Sequence, residues 1–549
     1  MTETGKDRQK QKQKQRQEVP GQAAAPPAQG LAAAPKDFLA ISALLLFPII
    51  VFAFLLRNLG DFYTQPIFLH FFLRHDAPAA LLAILILAAA GWGAGKIPPA
   101  IPARLLTFCR TRPAWLAAMV VLLCSLGTVF LCHDLPLSWD EYSLCTQARI
   151  FAAGKLWGQF PPQLSRWLFQ PQSFAVFSFE NGRHLSSYWP GFALLLSPFM
   201  KLGAPWLLNP LLGAATVLLI HFYAGRIFTD ADAPAWAVLL TMASPVLWAN
   251  SISYYAMPAH LFMNLLYAAL LLNPTPRRLL AAGGVGSLAL VLHNPVPHTL
   301  FAIPWLVWLA RGPGRSKRLG CLLLGYAPLS LLLGYGWTFL QETIQAGTTA
   351  PAESLARESQ NLVTLLVAKP WHIIRSVSSL PDAQLLWFRL AGTLKLFVWA
   401  VPGLPVLAFY GWRTPGGHVH LRLWSWSAAL TFTGYFFVHA DQGAGWGYRY
   451  FHGVWPVLPL LATAFLAGSR PPSATWKPLV VTVAAASLVL STPLRFGQIG
   501  QYIDQHLAQL PPIKKDMPQI CFIDYGNDKR VYGTYYTHDF IQNDPFLRR

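Results

Sequence analysis

The stretch Phe38-Leu-Ala-Ile-Ser-Ala-Leu-Leu-Leu-Phe-Pro-Ile-Ile-Val-Phe-Ala-Phe-Leu-Leu56 runs for nineteen residues without a charged side chain. A helix rises about 1.5 Å per residue, so this run is long enough to cross a hydrocarbon core of about 30 Å. Runs of the same character recur at Ala79 to Gly95, Ala114 to Cys132 and Leu319 to Leu340. One such run could be a signal or an anchor, whereas this many specifies a bundle. The composition agrees: 54% of the 549 residues are hydrophobic and 12% are charged, about half the charged share of an ordinary soluble domain. A soluble enzyme is excluded.

The formal charge of +19 would suggest nucleic acid in a soluble protein. Here the positions of the lysines and arginines give it a different meaning. Lys6, Arg8, Lys10, Lys12, Lys14 and Arg16 fill a Gln-rich head, and Lys96, Arg104, Arg110 and Arg112 follow the second run. Arg277 and Arg278, then Arg311, Arg315, Lys317 and Arg318, then Arg413, Arg422, Arg470 and Lys477 mark further short connections. This is the positive-inside pattern, so these connections are expected on the cytoplasmic side and no nucleic-acid partner is implied. The six cysteines have neither CxxC nor metal-ligand spacing. Cys132 and Cys145 are both expected near the outer surface, close enough for pairing to stay open.

Residues 1–36 lack apolar periodicity and read as a disordered basic cytoplasmic tail, with no cleavable signal peptide. From that start the expected spans are 38–57, 78–95, 114–132, 204–225, 234–250, 259–273, 279–293, 296–310, 319–340, 386–411, 423–440, 453–468 and 478–496. The stretch Tyr188 to Leu202 is assigned to the interface, because a further crossing there would carry Arg277 and Arg278 outside. The predicted fold is therefore an all-α polytopic membrane domain over 37–496, with about 11–13 transmembrane helices. Its large outer loops are 133–187 and 341–384, and a short periplasmic segment, 497–549, closes the chain. Within that segment Gly500 to Leu510 reads as helical and Gln519 to Tyr525 as a strand.

The polar chemistry concentrates where the third span ends, in Leu137-Ser-Trp-Asp-Glu-Tyr142. A carboxylate drawn into hydrocarbon costs ~2.5–3.5 kcal/mol on insertion scales, so two adjacent acids at a membrane surface are unusual. Trp139 and Tyr142 set the pair at headgroup depth, where amphipathic aromatics collect. The following Thr146 to Gly154 is helix-compatible and would put Glu141, Cys145 and Arg149 on one face. Asp140 or Glu141 at that depth can meet a lipid-linked substrate from the bilayer and a polar acceptor from water. As a general base, one acid would take the proton of an acceptor hydroxyl attacking an anomeric carbon, with a lipid phosphate leaving.

An acidic pair in the first large outer loop, the Ala-rich Ala148 to Gly154 and Ser187-Tyr-Trp-Pro-Gly-Phe-Ala-Leu-Leu-Leu-Ser-Pro198 together resemble the GT-C class of membrane glycosyltransferases. The protein mannosyltransferase and aminoarabinose transferase branch is the most similar. Trp446-Gly-Tyr-Arg-Tyr-Phe-His-Gly-Val-Trp-Pro456 extends the resemblance to a late outer loop of uncharacterised bacterial members. The resemblance implies a polyprenyl-phosphate-linked sugar donor, an outer-face site in a bacterial inner membrane, inversion, and a first-loop base matching Asp140 with Glu141 beside it. The chain departs from the class at a mid-chain Arg-Pro pair, where it has His293-Asn-Pro-Val-Pro-His298.

Other residues are candidates for supporting roles. Arg449, between Tyr448 and Tyr450 in a turn containing Gly443, Gly445 and Gly447, could hold a phosphate bidentately. Asp441 and His452 stand as donor-site partners or as simple partners of Arg449. Lys155, Arg183 and His184 are further candidates for phosphate or acceptor contacts, the last two in a tight turn from Glu180 to His184. His260, His293 and His298, together with the acids, could form a divalent-metal site. The acceptor could be a lipid, a glycan or a protein. A transporter or lipid flippase is the rival reading, and would carry polar residues in mid-span, whereas these acids collect in loops. A non-catalytic envelope-assembly subunit is the second.

Overall fold

With no water in the bilayer core to satisfy a peptide group, each apolar run must close its own backbone hydrogen bonds. In the computed structural model every predicted span coincides with helix. The structure describes residues 34–58, 67–159, 161–163, 175–345, 378, 380–414, 417–438, 442–443, 445–468 and 473–508. The expected strand Gln519 to Tyr525 and most of the loop 341–384 lie outside the described residues.

In chain order the helices are α1 (Pro35–Arg57), α2 (Ile67–Lys96), α3 (Ala100–Thr111), α4 (Pro113–Leu131) and α5 (Trp139–Ala152). A small sheet, β1 (Gly158–Gln159), β2 (Ala175–Phe177) and β3 (Arg183–Ser186), precedes α6 (Gly191–Lys201) and α7 (Pro205–Ile227). Then come α8 (Ala233–Met242), α9 (Pro245–Ser251), α10 (Met257–Leu270), α11 (Pro276–Leu290), α12 (Val296–Arg311) and α13 (Arg315–Gln345). The chain continues through α14 (Ala383–Val398), α15 (Leu404–Trp412), α16 (Val419–Phe436), α17 (Arg449–His452), α18 (Val457–Leu466) and α19 (Trp476–Gln505). Among the described residues, six helices are long and apolar enough to cross a membrane (α1, α2, α4, α7, α13 and α19), and the other predicted spans are shorter helices.

Two predicted spans are interrupted. Residues 234–250 form α8 and α9, which meet at Ser244 before Pro245, where proline's missing N–H restarts a helix without loss. Residues 386–411 break between Val398 and Leu404, with Gly403 at φ 81°. The α6 helix fills the stretch assigned to the interface. The α3 helix was not foreseen; its Arg110 shares Asp232 with Lys477, at 3.2 and 3.1 Å.

Every residue of α8 is buried, which puts it at the centre of the bundle. By contrast Leu44 and Phe54 on α1, Leu81 and Leu85 on α2, and Leu331 and Leu332 on α13 are exposed, as lipid-facing positions should be. Because hydrocarbon outside is as apolar as leucine inside, close backbone approach must hold helices together. The α11 and α13 helices achieve it with Gly283 and Gly325, where an added Cβ would come within 2.1 Å of Leu322 O and 2.2 Å of Leu280 O respectively.

A second departure from the sequence reading lies in α2. It begins at Ile67 and passes through a wide turn, Phe72–Asp76, before its apolar run, so Asp76 stands inside the bundle. Its carboxylate accepts from Lys395 Nζ at 2.5 Å, Trp399 Nε1 at 2.7 Å and Arg495 Nη2 at 3.1 Å. Arg495 also donates to His75 O and Val398 O. Charged residues are thus present within spans as well as in loops, and this cluster ties α2 to α14 and α19.

Candidate active site

Ser138 stops the chain from continuing as a loop and starts α5 with a capping box. Its Oγ accepts from Glu141 N, while Glu141 Oε2 accepts from Ser138 N at 3.0 Å. The same carboxylate accepts from Leu137 N and Ser138 Oγ, and its Oε1 accepts from Tyr254 N at 2.8 Å. Glu141 is 1% exposed. Burial pushes its carboxyl above the usual range, and the surrounding donors oppose that shift. Glu141 therefore fastens the start of α5 to the loop before α10.

Asp140, one residue earlier on the helix, faces elsewhere. Its Oδ1 accepts from Tyr188 OH at 2.6 Å, its Oδ2 pairs with Arg449 Nη2, and its side chain keeps 25% of its exposure. Tyr188 is delivered by β3, which is antiparallel to both β1 and β2 in the order β1-β3-β2. The end of β3 is pinned to α5: Ser186 N donates to Gln147 Oε1 at 3.0 Å, and the Ser186 and Ser143 hydroxyls lie 2.7 Å apart. The next residues dock on the end of α11 through Trp189 N to His293 O and Gly191 N to Val291 O.

Arg449 arrives from far along the chain and is held before it reaches Asp140. Gln442 accepts from Arg449 N through its side-chain oxygen at 2.9 Å and from Arg449 Nη1 through its main-chain oxygen at 2.7 Å. The guanidinium carbon lies 4.0 Å from the centre of the Tyr255 ring. Gly445 has φ 125°, and a Cβ there would sit 2.6 Å from Arg449 Cδ, so only glycine lets this turn pass beside the arginine. Burial works against the Arg449 charge, but Asp140 and Tyr255 outweigh it and the pKa is raised.

The other candidates distribute around this pair. His293 sits behind Tyr188, with ring centres 5.7 Å apart, and its Nδ1 is 2.8 Å from His260 Nε2. His298 turns away to Asn264 and Tyr326, at 2.7 Å each. Among the described residues no group of three or more His, Cys, Asp or Glu is placed to hold a metal ion. His452 is buried at the end of α17. Tyr448 is buried, and Gly392 lets α14 pass its ring. Arg183 stacks on Trp157, His184 stacks on Phe177 within the sheet, and Lys155 is exposed after α5. Asp441 lies outside the described residues. Cys132 and Cys145 are both buried free thiols, so the pairing left open does not form.

Sequence reasoning missed Tyr188 and Gln442 as site residues. Tyr188 had a signal, since it opens the Tyr-Trp-Pro-Gly stretch. Gln442 had only its place in a glycine-rich turn.

The fold is all-α and polytopic, and its first large loop brings Asp140 to Arg449 from a late loop. Among solved structures, ArnT from Cupriavidus metallidurans bound to undecaprenyl phosphate has a TM-score of 0.50 and 14% identity, over 79% of this chain and 88% of that chain. The same ArnT in the apo state gives 0.46 and 13%, over 78% and 87%. At such identity the likeness is one of fold. No known family matches the chain by sequence, and no curated protein matches it.

Proposed function

We propose that this protein is an inverting glycosyltransferase that moves a sugar from a polyprenyl-phosphate donor to an acceptor hydroxyl at the outer face of a bacterial inner membrane, with its N-terminus cytoplasmic and its C-terminus periplasmic. Asp140 is the general base. The acceptor O–H gives its proton to Asp140, the oxygen bonds to the anomeric carbon from the face opposite the donor phosphate, and the carbon–oxygen bond to phosphate breaks. The electron pair leaves with the polyprenyl phosphate.

The single observation that carries the reading is the partly open Asp140 carboxylate, held by Tyr188 and Arg449 where a loop meets the helical bundle. A base must be reachable, and Glu141 is sealed while Asp140 is not. Arg449 can exchange a carboxylate for a phosphate with little rearrangement, since both accept guanidinium N–H groups. A donor phosphate that draws Arg449 would release Asp140 for the acceptor and stabilise the charge building on the leaving group. The solved ArnT with undecaprenyl phosphate supports the same class of lipid donor on this fold.

The test uses the purified chain in detergent with a radiolabelled polyprenyl-phosphate sugar and an envelope fraction as acceptor. The proposal expects label in the acceptor matched by released polyprenyl phosphate. Donor bound or moved across a vesicle without release of polyprenyl phosphate would instead establish a transporter.

A further inference from the structure

The end of the bundle away from the first loop carries a feature that the transfer chemistry does not use. Between the last turns of α7 and α10 and the starts of α11 and α16 lies a cavity of about 430 Å³. Arg226 from α7, Arg278 from α11 and His418, the residue before α16, line its polar end. Leu219 and Phe222 from α7 and Leu266 from α10 line the rest. Among the described residues no carboxylate lines it. Among the described residues neither arginine forms an ion pair; the nearby Asp232 is taken by Arg110 and Lys477.

The order of residues along α7 gives the cavity a direction. Leu219 precedes Arg226 by two helical turns, which is about 10 Å at 1.5 Å per residue. The apolar wall therefore extends from the charged rim into the bundle's hydrophobic depth. Phe222 is 46% exposed and its neighbour Leu218 42%, so the wall faces lipid rather than protein on one side. The positive-inside pattern sets this end in the cytoplasm.

We propose that this cavity is a binding site for an anionic phospholipid of the cytoplasmic leaflet. The phosphate diester sits between Arg226 and Arg278, and an acyl chain covers Leu219, Phe222 and Leu266. Two guanidiniums from different helices, without an ion pair among the described residues although Arg226 lies 5.2 Å from the Phe222 ring centre, match a phosphate's acceptors, and the adjoining apolar wall distinguishes a lipid from free phosphate, which would leave that wall uncovered. A lipid held there would bridge α7 and α11, whose other ends reach the site: Asn209 Nδ2 at the start of α7 donates to Tyr255 O at 2.9 Å, and Trp189 N donates to His293 O just after α11.

The experiment reconstitutes the full chain in nanodiscs of phosphatidylcholine with a minor fraction of phosphatidylglycerol, and counts phosphatidylglycerol retained after detergent extraction by native mass spectrometry. The wild type should retain it selectively. Each of Arg226→Gln and Arg278→Gln should weaken retention about fivefold, and Arg226→Lys with Arg278→Lys should restore much of it. Equal retention in the wild type and the double glutamine variant would overturn the site, as would parallel loss of phosphatidylcholine. Displacement of the lipid by millimolar inorganic phosphate would overturn the lipid assignment in favour of a soluble phosphate. None of these readouts depends on sugar transfer.

Discussion

Two meetings of an aspartate with basic residues, at Asp76 and at Asp140, are built to different ends. Around Asp76 the carboxylate is 0% exposed and receives Lys395, Trp399 and Arg495, whose own side chains are 1% (lysine and arginine) and 2% (tryptophan) exposed. Nothing can enter without breaking a bond already made. Around Asp140 a tyrosine and an arginine leave a quarter of the acid's side chain open, and the arginine is oriented by Gln442 before it meets the acid. Ionisable groups inside a membrane protein invite a functional reading, yet saturation decides between them: a closed cluster joins helices, and an open one is available to a substrate. The Asp76 cluster therefore does not revive a transport reading, since its acid is sealed and already holds three donors.

The comparison breaks most readily at Asp76. Asp76→Asn leaves Lys395 and Arg495 buried without their counter-charge, and should cost about 3–5 kcal/mol of stability. Thermal unfolding in detergent should show a much lower midpoint, while transfer per folded molecule persists. Loss of transfer without loss of stability would make Asp76 part of the chemistry. Next in size is Arg449→Lys. A lysine offers a point charge where the arginine offers a fork, so affinity for polyprenyl phosphate should fall by about 1.5–3 kcal/mol, with the thermal midpoint nearly unchanged. An unchanged affinity, measured by titration with the unsugared lipid phosphate, would remove Arg449 from the donor site.

Smaller effects separate the neighbours within the open site. Glu141→Gln keeps one acceptor oxygen but sets an amide N–H₂ against the other backbone donor, at about 0.5–2 kcal/mol of stability. Its transfer rate per folded molecule should stay near that of the wild type, whereas a collapse in rate at full stability would move the base from Asp140 to Glu141. Gln442→Ala removes the side-chain contacts to Arg449 N and to Gly447 O but keeps the main-chain contact to Arg449 Nη1, and should weaken donor binding by about 1 kcal/mol, roughly fivefold. A change larger than that of Arg449→Lys would mean that the whole turn depends on Gln442.

Much of this was readable before any coordinates. Hydropathy located helix at each predicted span, six of them long and apolar enough to cross a membrane among the described residues, because a peptide group in lipid has no partner but its own helix. The acidic pair stood out because carboxylates are rare at that depth. Legibility ended where partners are set by packing. The sequence gives Asp140 and Glu141 equal standing, and only the capping geometry of Ser138 and the approach of Tyr254 seal one and leave the other open. Asp76 was hidden because the apolar run after it begins at Ala79, while the helix itself starts at Ile67. The three histidines suggested a common ligand set; His260 and His293 instead meet each other, and His298 turns to Asn264 and Tyr326.

The reading of the open cluster as a site depends above all on Asp140 accepting a proton during transfer. The direct measurement is single-turnover sugar transfer by Asp140→Asn with donor pre-bound at saturation, alongside its thermal midpoint. The account predicts an intact fold and transfer reduced by about 100-fold or more, in line with loss of a general base. Transfer at the wild-type rate in the folded variant would contradict it.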